Sequence, residues 1–169
     1  MKIIEAMKQC KLLVMKAEDL KKKVAVHCAD VDFETPLYID QKEQVSQWVQ
    51  AYSDVLKEIL RLRVAIQRTN IQTNVTIALG DKQVTKSIAE WIHRRRDLAA
   101  LEMMVWQALG DRGLKEGNIQ TTQGETKSVK IRRYFDPKER DNKLDVLRAE
   151  PLTIDSTLEV INAVTDVIE

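Results

Sequence analysis

Between Asp40 and Arg68, apolar residues recur at alternating spacings of three and four: Val45, Trp48, Tyr52, Val55, Ile59, Leu62 and Ile66. That is a heptad seam on one long helix, uninterrupted by glycine or proline, and at 1.5 Å per residue it spans roughly 40 Å. A rod with one apolar stripe must lay that stripe against something. The preceding stretch, Lys2 to Ala29, supplies the partner, with Ile3, Met7, Cys10, Val14, Ala17, Val24 and Cys28 at seam positions, Lys21 as a polar interruption and Leu13 and Leu20 widening the stripe. The connection between them is short, acidic and interrupted by Pro36, so an antiparallel helical hairpin is expected, its second helix capped by Asp40 with Glu43 three residues on.

With 169 residues, five glycines and three prolines, the chain favours long uninterrupted elements over a loop-built site. Its 27 Lys and Arg nearly balance its 26 Asp and Glu, giving a net charge of +1, so no global field draws it to nucleic acid or acidic lipid. The charged first eight residues do not read as a secretory signal, and the longest nearly apolar run, Leu98 to Leu109, is about half of what a membrane span needs. A soluble protein, cytoplasmic or part of a virion, is the expectation. Cys10 and Cys28 lie roughly 27 Å apart along one helix, too far for an internal disulfide, and are expected as small buried thiols or as a bridge between chains.

After Arg68 the texture turns β-branched, and a strand is predicted to begin near Asn74, turn at Gly80-Asp81 and return over Lys82 to Val84. Thr85 or Ser87 then caps a third helix to Leu109, with Ile88, Ile92, Ala99, Met103 and Trp106 on one face and Gly110 at its end. Its middle holds Arg94, Arg95 and Arg96, which spread over about 200° of helix and cannot share one ligand; they are expected to pair with carboxylates such as Glu90 and Glu102. Asp111 to Lys127 reads as a long loop, a candidate assembly arm. Lys127 to Phe135 alternates as a strand expected to join the one near Val75. Asp136-Pro137, with Glu139, starts a helix that Glu150-Pro151 should break, and Asp155 should cap a last helix with the stripe Leu158, Ile161, Val164 and Ile168.

The expected fold is therefore mainly α with a small β element: a long antiparallel helical hairpin over 1–68, a small antiparallel sheet with an inserted helix over 69–135, and C-terminal docking helices over 136–169, in a single domain. No catalytic, cofactor or metal residues are identified. The two histidines lack triad partners, no glycine-rich phosphate loop or paired-cysteine motif is present, and the trio Asp30, Asp32 and Glu34 lacks the glycine and closing carboxylate of a calcium loop.

The run Arg68-Thr69-Asn70-Ile71-Gln72-Thr73-Asn74-Val75, the Gly80 turn, Val84-Thr85 and Arg95-Arg96-Asp97-Leu98 resemble the septicolysin-like family of small helical proteins, over about residues 2–109. The resemblance implies a long N-terminal hairpin, a Thr-Asn segment, a β-turn and an Arg-Asp-Leu helix. The family's closing helix carries an Asn-Trp pair where this chain has Ile161-Asn162-Ala163, and no pore-forming segment is visible, so cytolysis is not carried over.

These features favour a non-enzymatic structural protein that packs into a large homo- or hetero-oligomer, of the kind found as capsid-decorating, neck or tail components of tailed phages. Its expected interface residues are Leu158, Ile161, Val164, Ile168, Arg94 and Arg96, its partners are proteins, and no small-molecule substrate or cofactor is expected. Two alternatives are a septicolysin-like cytoplasmic or membrane-surface protein and a nucleic-acid adaptor using Lys21 to Lys23, Arg94 to Arg96 and Lys130 to Arg133. Near-zero net charge disfavours the adaptor.

Overall fold

In the computed structural model, which describes residues 1–168, the two seams form the helices α1 (Ile3–His27) and α2 (Gln41–Gln72). They are followed by a hairpin of β1 (Asn74–Leu79) and β2 (Lys82–Ser87), the helix α3 (Ile88–His93), a π-helical turn over Arg94–Leu98 and the helix α4 (Ala99–Ala108). A second hairpin, β3 (Gly117–Gln120) and β4 (Thr126–Val129), precedes the last helix, α5 (Pro137–Val164). The protein is thus mainly α with a small β element. No described helix is long and apolar enough to cross a membrane.

The described chain divides into two compact units, residues 1–73 with 158–168, and Asn74–Thr157. The expected segment 1–68 falls wholly in the first unit, whereas α5 begins in the second and ends in the first.

In the first unit, α2 keeps its predicted seam: Val45, Trp48, Tyr52, Val55, Ile59, Leu62 and Ile66 are all buried or half-buried. The Asp40 carboxylate accepts from the Glu43 N–H at 2.8 Å, whereas the Glu43 carboxylate takes a hydrogen bond from Gln47. The seam of α1 needs correction. Met7, Val14 and Cys28 are exposed, and the inward row is Ile3, Ala6, Cys10, Leu13, Ala17, Leu20, Val24 and His27. Shifting alternate positions back by one residue replaces Lys21 with Leu20, so the row buries no lysine. It also leaves Cys28 at the surface and Cys10 half-buried, against the expectation of two buried thiols.

Ala17, Leu20, Trp48, Val55 and Ile59 form the centre of this core, flanked by Leu13, Val24, Val45, Ala51 and Tyr52. Burying Leu20, Val55 and Ile59 contributes about 1.5–3 kcal/mol each. At the connected end of the hairpin, His27, Tyr38 and Trp48 pack edge-to-face or tilted, with ring centroids 5.5–6.2 Å apart. The helix continues beyond Arg68 to Gln72, because Thr69 turns inward and its hydroxyl donates to the Ala65 carbonyl at 2.8 Å. That hydroxyl also accepts from the Ile168 N–H at 2.8 Å. The segment after α5 is extended and pairs with the N-terminus: Ile3 N–H donates to Thr165 O, Val167 N–H to Met1 O, and the Lys2 ammonium lies 2.7 Å from the Asp166 carboxylate.

In the second unit, β1 and β2 pair antiparallel in the register Asn74↔Ser87 to Leu79↔Lys82, three residues longer on the return strand than predicted. Gly80 supplies the positive φ (+59°) that a two-residue turn requires. The expected long loop holds a strand instead. Gly117–Gln120 pairs with Thr126–Val129, so β4 closes a second, separate two-stranded sheet and does not join β1. The closing turn explains the choice, since Thr121 and Gly124 tie it with backbone hydrogen bonds and Gly124 adopts φ +80°, making the near partner available at little entropic cost. The backbone from Lys130 to Asp136 is irregular.

The predicted break at Glu150-Pro151 does not occur either. Pro151 lies inside α5, which runs unbroken to Val164, so Asp155 is an internal residue and not a cap. A proline inside a helix costs about 3 kcal/mol, a local penalty set against the burial of Leu144, Leu147, Ile154 and Leu158 along the same helix. At the start of α5 the Asp136 carboxylate accepts from the Lys138 N–H at 2.9 Å; the expected part for Glu139 in this cap is taken by that contact.

Candidate functional site

The third helix contains the chain's one departure from regular helical geometry among the described residues. Ser87 begins it as predicted: its backbone N–H and its hydroxyl each donate to the Glu90 carboxylate at 2.8 Å, and its hydroxyl accepts from the Glu90 N–H at 3.2 Å. Those contacts, not an arginine, occupy Glu90 and hold its carboxyl below the usual range. After one and a half turns the backbone widens into the π turn Arg94–Leu98, closed by the Ala99 N–H bonding to the Arg94 carbonyl. The wider turn resets the helical phase. Trp91, absent from the predicted face, is completely buried three residues after Ile88, its indole N–H bonded to Val75 O at 2.9 Å, while Ile92, Met103 and Trp106 are only half-buried. π turns interrupt α-helices frequently at functional sites.

The three arginines diverge, as their spacing required. Arg94 grips Glu150 with two bonds, Nε to Oε1 at 2.5 Å and Nη2 to Oε2 at 2.9 Å, and reaches Glu102 at 2.5 Å. Lys143 approaches the other Glu102 oxygen at 3.2 Å. Arg95 pairs with Asp155, and the exposed Arg96 with its neighbour Asp97. Glu150 is 2% exposed, and its hydrogen bond to Arg94, opposed by burial, holds the guanidinium above even its ordinary range. Burial pushes the Glu102 carboxyl up, but Arg94 and Lys143 outweigh it, and the net displacement is downward. The result is a chain of alternating charges, Glu150, Arg94, Glu102 and Lys143, drawn from α4, α5 and the π turn.

This chain lies along an open cleft of about 1090 Å³ within the second unit, whose walls include Leu79, Val84, Trp106 and Val146. Cations (Lys82, Lys86, Lys138) and carboxylates (Asp81, Asp136, Glu139) alternate around it, so it presents no field of one sign. No group of three His, Cys, Asp or Glu side chains that could hold a metal ion occurs among the described residues. The network acts chemically as a clamp: paired charges fix the π turn against α5.

A second feature lies on the same helix and shares Leu98 with the cleft wall. The sequence of α4, Ala-Ala-Leu-Glu-Met-Met-Val-Trp-Gln-Ala, has two polar residues and is apolar on nearly every side, a composition suited to a helix covered all round. Yet Leu98, Leu101, Met104 and Val105 are 46–64% exposed.

The structure scatters the residues predicted to form an interface. Leu158 is buried inside the chain's own fold, Ile161 is half-buried, and Val164 and Ile168 are exposed. Arg94 is mostly occupied by Glu150 and Glu102, and Arg96 is at the surface. Glu150 was missed as the partner of Arg94, and Lys143 as a partner of Glu102, because they follow those partners by 56 and 41 residues respectively. For α4 the sequence showed the apolar run Leu98 to Leu109, but not which of its faces stays exposed.

No family model matches the chain, and no curated protein does. Its architecture is similar to the crystal structure of a functionally unknown conserved protein from Corynebacterium diphtheriae, with a TM-score of 0.57 and 17% identity over 99% of each chain. At that identity the likeness defines a shared fold.

Proposed function

We propose that the protein is a non-enzymatic assembly component, whose copies pack onto one another and onto neighbouring subunits of a larger particle. The observation that carries this reading is the exposed face of α4. A contiguous group of large apolar side chains on a helix marks an interaction surface, because leaving it in water forfeits the burial its composition provides. A virion of the tailed-phage kind, as decorating, neck or tail protein, is the particle this reading favours, by general analogy with small helical-hairpin components.

Sedimentation velocity over a concentration series tests the proposal. The wild-type chain is expected to form species larger than a dimer, and Leu101→Glu with Val105→Glu to prevent them while leaving the far-UV circular dichroism unchanged. A wild-type monomer at every concentration, or a double variant that assembles like wild type, overturns it.

A further inference from the structure

Besides the seam turned toward α1, helix α2 carries a second one. Val49, Ser53, Leu56, Leu60, Val64, Gln67 and Ile71 follow each other at spacings of 4, 3, 4, 4, 3 and 4, and its five apolar members are 44–65% exposed. The six steps average about 3.67 residues, close to the natural period of a straight helix, so the row stays on one side for its whole length of about 33 Å. A groove of about 560 Å³ opens along one flank of the row, lined by Leu60, Val64, Ala65, Lys57, Arg61 and Arg68.

The row reads the same in both directions about Leu60. Reversed, Val49 falls on Ile71, Ser53 on Gln67, Leu56 on Val64, and Leu60 on itself, so apolar meets apolar and the two polar positions meet each other. A surface that matches its own reverse is what a two-fold axis requires, since each copy then offers the same patch to the other. The flanks agree with that axis. Arg68, on the rim of the groove, is carried toward Gln50 and Asp54 of the second copy, while Lys57 and Arg61, nearest the axis, bring their own carboxylates, Asp54 at 3.1 Å and Glu58 at 2.8 Å. We infer that two copies of the chain associate antiparallel through this outer seam of α2, with Leu60 on the two-fold axis against its counterpart in the other copy.

This inference rests on the assembly reading and adds the geometry it lacks. An isologous contact through α2 closes at two copies, and the separate face on α4 is what carries growth beyond the dimer.

Site-specific cross-linking tests it, in full-length protein with Cys10→Ser and Cys28→Ser. With a short bis-maleimide, Leu60→Cys is expected to link to itself. Val49→Cys should link to Ile71→Cys when the two variants are mixed, but neither to itself. Self-linking of Val49→Cys and Ile71→Cys, which reports a parallel pair, or no linking at Leu60→Cys, overturns the inference. In sedimentation, Leu60→Glu should weaken the dimer by roughly a hundredfold or more, since it places two carboxylates on the axis. The α4 double variant should stop at the dimer. An α4 variant that is monomeric overturns the α2 contact and leaves assembly through α4 standing, whereas a wild type that never exceeds a dimer overturns the assembly reading and leaves the α2 contact standing.

Discussion

Replacing Arg94 with leucine strips Glu150 of the guanidinium that binds both of its oxygens. Removing one partner of a buried ion pair costs about 3–5 kcal/mol, because the remaining charge is left desolvated and unpaired. Glu150 is 2% exposed and meets that condition, whereas the Arg94 side chain, at 20%, is partly hydrated and reduces what is lost. The low end of the range, about 3 kcal/mol, is the expected cost. With a urea slope of about 2 kcal/mol/M, the unfolding midpoint of the second unit should fall by about 1.5 M. Fluorescence of Trp91 and Trp106 follows that unit, and Trp48 the other, so a Trp48→Phe background isolates the signal. The double variant Arg94→Leu/Glu150→Leu removes both charges and should regain most of the loss, since a buried pair exchanged for apolar groups is often near neutral. A single variant within about 1 kcal/mol of wild type, or a double variant as unstable as the single, would refute the clamp and reduce the network to a surface arrangement.

Two further outcomes follow from local geometry. Pro151→Ala should stabilise the protein by about 1–3 kcal/mol by restoring a backbone donor within α5, read as a raised thermal midpoint; a lowered midpoint would mean that the proline shapes the helix. Asp166 has its carboxyl pKa lowered from 3.8 chiefly by its hydrogen bond from Lys2, so its contribution is complete above that ordinary value and is lost as pH falls through the lowered one. An NMR titration of the Asp166 carboxyl should place its midpoint below 3.8, and Lys2→Met should return it; a midpoint at or above 3.8 in the wild type argues against the closure of the terminal segments.

What the sequence by itself determined is whatever repeats at short range. The heptad row of α2, the Asp40 and Ser87 caps, and the Gly80 turn each depend on residues within a few positions of each other, where helical period, orphaned N–H groups and positive φ leave few choices. The same locality made the divergence of Arg94, Arg95 and Arg96 legible, and the polar content of α4. The α1 seam failed by one residue because two overlapping rows, one with Leu20 and one with Lys21, both satisfy the period, and only contact with α2 selects between them.

Tertiary structure decided the rest. The strand around Lys127 paired with its neighbour across Thr121–Glu125 because alternation declares a strand without naming its partner. Pro151 remained inside α5 because burial on both sides of it offsets a penalty that local propensity alone would make decisive. Glu150, which as a sequence feature marked the end of a helix, became the buried partner of an arginine 56 positions earlier. A buried charge is stable only where an opposite one is brought to it, and that meeting is set by the packing of distant segments, which no short-range pattern encodes.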